Sequence, residues 1–176
     1  MKIIEKNGEI YFIFGSALRK YNKQSEKWDT ISTCTYSYTL ITFVKTNLDD
    51  NNLYICSDSG WSNYIILKFN LEDYIWSQLC VLHGNTIDPT NNIHDAFLDN
   101  DTLHLFGISN DYANKYYILG TEDSRGALPQ YPINPNGTYI HRIIPYNGEV
   151  YAIYINGSDY SSSFGKITNL KTRTVK

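Results

Sequence analysis

A polar turn followed by an apolar strand returns four times in this chain, at Asn7 (NGEIYFIFG), Asn51 (NNLYICS), Asn100 (NDTLHLFG) and Asn147 (NGEVYAIY). The intervals are 44, 49 and 47 residues. After each turn comes an alternating strand, a short connection and a second alternating strand. A period of this length filled with strands restricts the chain to an array of small sheets, since one such unit cannot bury its apolar face alone.

With one such turn in each, the chain divides into four units, approximately 1–34, 35–82, 83–134 and 135–176. The first divides into strands at Lys2–Glu5, Glu9–Phe14, Arg19–Asn22 and Lys27–Ser32, with Asn7-Gly8 as a two-residue hairpin turn whose positions both tolerate positive φ. The second gives Thr39–Val44, Leu53–Ser57, Tyr64–Asn70 and Ile75–Leu79. Phe69 and Trp76 in this unit stand seven residues apart, as Tyr21 and Trp28 do in the first. The third reads Ile93–Leu98, Leu103–Ile108, Tyr116–Leu119 and Gln130–Ile133, and the fourth Tyr139–Pro145, Glu149–Ile155, Phe164–Thr168 and a weak Thr172–Val175. Helical periodicity is absent throughout. The expected fold is all-β, a single domain over 1–176 forming a β-propeller of four four-stranded antiparallel blades.

The repeat resembles the kelch motif, which has a His in its first strand, a strand ending in a Gly doublet, and then a Tyr and a Trp. His94 and Gly107 stand thirteen residues apart, and His141 precedes Asn147 by six residues as His94 precedes Asn100. Tyr21/Trp28 and Phe69/Trp76 supply the later pair. The Gly doublet is reduced to Gly15-Ser16 and Gly107-Ile108, and is replaced by Ser57-Asp58 and Ile155-Asn156 in the other units. The resemblance implies a propeller, and the expected role is non-enzymatic binding of a protein partner through its loops. A ring must close to cover its end faces, so the chain is expected to close alone as a monomer or, alternatively, to supply half of an eight-bladed ring completed in a homodimer.

Composition narrows the function. Charged residues make up 19% of the chain and the net charge is −3, which leaves no basic field for a nucleic-acid backbone. No apolar run reaches the roughly 18 residues of a membrane helix, and MKIIEKNGE lacks a signal-peptide core. Cys34, Cys56 and Cys80 are three in number and widely spaced, so they read as buried apolar residues in a reducing compartment, and the chain is expected in the cytoplasm. Neither GxSxG nor GxxxxGK[ST] occurs, no cofactor is indicated, and no acid pair is placed for glycoside hydrolysis.

The candidate binding residues lie in the connections between second and third strands. Three of these carry an acid, an aromatic and small polar residues: Asp58, Trp61 and Asn63; Asp111, Tyr112 and Asn114; Asp159 and Tyr160. As aromatic anchors they suit a protein partner. Alternatively, an aromatic platform with Asp and Asn beside it suits a glycan, giving a multivalent lectin. The same residue types also simply make turns. His94 and His141 come from adjacent units at equivalent positions and are weak candidates for a metal, which would make a metal-dependent enzyme at the channel mouth a further alternative. Packing is the competing role for both.

Overall fold

The computed structural model describes residues 2–36, 40–46, 51–60, 63–82, 92–99, 102–108, 114–120, 130–132, 138–156, 158–168 and 170. They form fifteen strands in four antiparallel sheets, with no helix among the described residues. Sheet 1 holds β1 (Lys2–Lys6), β2 (Glu9–Phe14), β3 (Ala17–Asn22) and β4 (Lys27–Thr33). Sheet 2 holds β5 (Leu40–Thr46), β6 (Asn52–Gly60), β7 (Asn63–Asn70) and β8 (Trp76–Leu82). Sheet 3 holds β9 (Asn92–Asp99), β10 (Thr102–Ile108), β11 (Asn114–Gly120) and β12 (Gln130–Pro132). Sheet 4 holds β13 (Thr138–Tyr146), β14 (Glu149–Asn156) and β15 (Ser162–Lys166). Each sheet is a meander in chain order. The expected strand Thr172–Val175 lies outside the described residues.

Turn chemistry explains the meanders. Asn7 and Gly8 take φ of 55° and 76°, and Asn147 and Gly148 take 50° and 74°, the left-handed conformations that a two-residue hairpin requires. Between third and fourth strands, Asn22 Oδ1 accepts from Gln24 N and Ser25 N, while Asn70 Oδ1 accepts from Glu72 N and Asp73 N. These turns share little sequence, yet each is capped by the Asn that follows its aromatic residue.

The sheets stack in chain order through three clusters. Tyr11, Ile13 and Leu18 of sheet 1 meet Leu53, Ile55, Leu67 and Phe69 of sheet 2. From its other face, sheet 2 sends Tyr54, Cys56 and Ile66 against Leu103, Leu105 and Leu119 of sheet 3. Sheet 3 then sends Phe97, Phe106 and Ile118 against Ile143, Ala152 and Tyr154 of sheet 4. The two central sheets are covered on both faces, so the second strand of each, Leu53–Ser57 and Leu103–Phe106, is buried without alternation.

The first strands adjoin in chain order, with β1 beside β5, β5 beside β9 and β9 beside β13, and this row of first strands is the hub of the stack. Among the described residues the series does not return on itself: β13 and β1 make no comparable contact, and no cluster joins sheet 4 to sheet 1. The monomeric closure expected from the sequence is therefore not found among the described residues.

Equivalent positions follow from the cross-strand pairs. Tyr11 faces Lys20, Tyr54 faces Lys68 and Tyr151 faces Lys166, with His104 opposite Ile118 in sheet 3. This places Asn51 level with Gly8, not with Asn7, because the β5–β6 connection is longer than a two-residue turn. A bulge also recurs in the first strands: the registers skip Thr42, His94 and His141. One extra residue there increases the local twist of the strand nearest the hub.

Candidate functional site

The Asn156–Ser161 turn shows how its residues are used. Asn156 N donates to Ser161 O and its carbonyl accepts from Tyr160 N, both at 2.9 Å. Asn156 Oδ1 accepts from Ser158 N at 3.0 Å and from Ser158 Oγ at 2.8 Å. Asp159 Oδ1 accepts from Ser161 N at 2.9 Å. The Ser161 backbone N–H, and then its hydroxyl, hold the Asp159 carboxyl below the usual carboxylate range. Asn156 and Asp159 thus build the turn. Tyr160, at a φ of 58°, is 78% exposed and is presented on this bonded frame.

The other candidates are divided by the fold. In sheet 2 the strands run further than the sequence suggested, with Gly60 paired to Asn63 across the Trp61-Ser62 connection. Asp58 and Asn63 are therefore strand residues and not loop residues, Asp58 pairing with Leu40 on one side and Tyr64 on the other. In sheet 3, Asn114 opens β11 opposite Ile108. Trp61, Asp111 and Tyr112 lie outside the described residues.

The first strands adjoin in series. Between sheets 1 and 2, Asn7 Nδ2 donates to Asn51 Oδ1 at 3.2 Å, tying two first-to-second turns together.

His94 and His141 occupy the bulge position of β9 and β13. His141 is exposed. Among the described residues no three His, Cys, Asp or Glu side chains gather as a metal site. The hub chemistry belongs instead to Asp95, the residue that follows His94. Its side chain is 5% exposed; Oδ1 meets Lys45 Nζ at 2.7 Å and accepts from Ala96 N at 2.9 Å, while Oδ2 accepts from Ile143 N at 2.9 Å. One carboxylate thereby ties β5, β9 and β13 together. An acid between Ile93 and the apolar run Ala96–Leu98 was the available signal.

No protein-family model matches this sequence, and no curated protein matches it. Two further features complete the chemistry in view. A shallow open hollow of about 300 Å³ lies beside Glu9, Lys20, Asn22 and Asp29, with Lys20 Nζ 3.4 Å from Glu9 Oε1. It includes the third-to-fourth turn of sheet 1 and so lies away from the candidate loops. Cys34, Cys56 and Cys80 are buried thiols outside any disulfide, and burial pushes the Cys34 thiol up. His104 is buried and stacked on Phe97 with centroids 4.5 Å apart, and desolvation lowers its pKa despite the opposing charge of Asp99.

Proposed function

We propose that this chain is a non-enzymatic, kelch-like module of propeller type that binds a protein partner through the connections between its second and third strands. The supporting observation is Tyr160, a phenol 78% exposed on a turn braced by the bonds of Asn156 and Asp159 to Ser158 and Ser161. A ring fixed in this way loses little conformational freedom on binding, which favours aromatic anchors at protein interfaces. The meandering sheets, ordered around their first strands, suit a propeller; the Tyr21/Trp28 and Phe69/Trp76 pairs suit the kelch motif.

The test is a photo-crosslinking amino acid placed at position 160. A specific adduct competed by the unlabelled wild-type chain, and not by Tyr160→Ala, supports protein recognition. A second reading as a lectin rests on the same ring beside Asp159, whose remaining lone pairs face solvent. Sugar-specific binding on a glycan array, lost in Tyr160→Ala and in Trp61→Ala, would replace the first reading with that one. Metal at the His94 and His141 positions is tested by elemental analysis of the purified protein and of His141→Ala.

A further inference from the structure

The two ends of the sheet stack expose opposite faces, and each resembles a face that is covered inside the stack. On sheet 1, Tyr11 and Ile13 point to sheet 2, so alternation turns Phe12 and Phe14 outward. Phe14 stacks on Phe12 with centroids 6.2 Å apart, Phe12 lies 5.3 Å from Trp28, and Trp28 lies 5.3 Å from Tyr21. Phe14 is 61% exposed and Trp28 39%. In sheet 2 the equivalent pair, Phe69 and Trp76, is covered by sheet 1: Phe69 is fully buried and Trp76 Nε1 donates to Ser32 Oγ at 2.9 Å.

On sheet 4, Ala152 and Tyr154 point to sheet 3, so Tyr151 and Ile153 point away. Tyr151 stacks on Phe164, which is 64% exposed. Glu149 accepts from the Tyr151 hydroxyl at 2.6 Å and from Lys166. Sheet 1 has the same trio, Glu9, Tyr11 and Lys20, on the face that sheet 2 covers. Leu18, which matches Phe164, is fully buried there.

We propose that a second copy of this chain covers both ends: sheet 4 of each protomer stacks on sheet 1 of the other, and two such contacts about a two-fold axis close a dimer of eight sheets. A sheet 4 face resembling that of sheet 1 calls for a cover resembling sheet 2, and the exposed sheet 1 face carries the matching aromatic pair. Tyr146, opposite Glu149, shares the outward face with Tyr151 and is 64% exposed; at half of the about 150–250 Å² that a buried aromatic removes from water, the seven rings Phe12, Phe14, Tyr21, Trp28, Tyr146, Tyr151 and Phe164 give roughly 700 Å² per contact. The two contacts together fall within the about 1,200–2,000 Å² of stable complexes. The contact rests on the stacking alone; its closure into a ring rests on the propeller reading, whereas protein recognition by the loops is independent of both.

Sedimentation equilibrium tests this on the full chain. Wild type is expected at twice its 20.3 kDa mass. Phe164→Glu and Trp28→Glu, on opposite faces, should each raise the dimer dissociation constant by about 100-fold or more, while Ile75→Glu, on an exposed turn away from both faces, should leave it unchanged. Mixing Phe164→Glu with Trp28→Glu should restore heterodimer, because one of its two contacts is then wild type. Circular dichroism and urea midpoints establish that each variant is folded. If a variant does not fold, concentration-dependent hydrogen-exchange protection of β4 and β15 in the wild type takes its place. A wild-type monomer at every concentration, oligomers that keep growing past two, or exchange of β4 and β15 that ignores concentration would overturn the proposal.

Discussion

Replacing Asp95 with Ala should be among the most damaging single changes at the hub. The substitution removes an acceptor for Ile143 N, and Ile143 is itself buried, so an N–H is left without its partner at about 1–3 kcal/mol. It also removes the counter-charge of Lys45. That side chain is 28% exposed, so its ammonium regains water and this share is discounted from the about 3–5 kcal/mol of a fully buried broken pair. Together these give about 3–4 kcal/mol, a large part of the roughly 5–15 kcal/mol that holds an ordinary domain folded. Asp95→Asn keeps an acceptor of the same shape and should cost less than half as much. At about 2–4 °C per kcal/mol for a chain of this size, Asp95→Ala should melt roughly 6–16 °C below wild type. Urea unfolding followed by tryptophan fluorescence gives the free energy, and hydrogen exchange at the Ile143 amide gives the local consequence. An Asp95→Ala protein within about 1 kcal/mol of wild type, or one indistinguishable from Asp95→Asn, would refute the assignment of the hub to this carboxylate.

Three further outcomes follow from the same structure. His104 is kept neutral by burial, so its folded pKa lies below the unfolded value of about 6.5. The unfolded chain therefore binds the extra proton first: stability is flat above about pH 6.5, falls as pH drops through 6.5 toward the folded pKa at up to about 1.4 kcal/mol per unit, and His104→Phe should remove that step from a urea titration across pH 5–8. Ser32→Ala and Trp76→Phe each break the bond between sheets 1 and 2 and should each cost about 1 kcal/mol, with the double variant costing less than their sum in chemical denaturation. Tyr160→Ala should leave the melting temperature within about 1–2 °C, since the ring is exposed, while failing to compete for the partner in the crosslinking assay.

The recurrence of turn, strand, turn and strand made the four meanders legible, because Asn-Gly turns and alternating apolar strands are local features that dictate local hydrogen bonding. The Tyr21/Trp28 and Phe69/Trp76 spacings identified the third and fourth strands for the same reason. Less was legible in sheet 2, where a turn counted from Asn51 misplaced the equivalence by one residue. A connection of different length shifts the turn without shifting the cross-strand pair. Asp58 and Asn63 were read as loop residues because Ser, Asp and Gly are turn formers, and yet both ends of that hairpin continued as strand once pairing with a neighbour satisfied their backbones.

The strands, their order within each sheet and the apolar face of each outer sheet all follow from neighbours along the chain, so residue order was enough to set them. It took the packing of whole sheets to make Asp95 bond Lys45 and Ile143 across three of them, and to put His94 and His141 in bulges. The same packing left Phe164 and Trp28 on uncovered faces. Those outcomes depend on which sheets stack against which, and a pattern of period two states that a face must be buried without stating what will cover it.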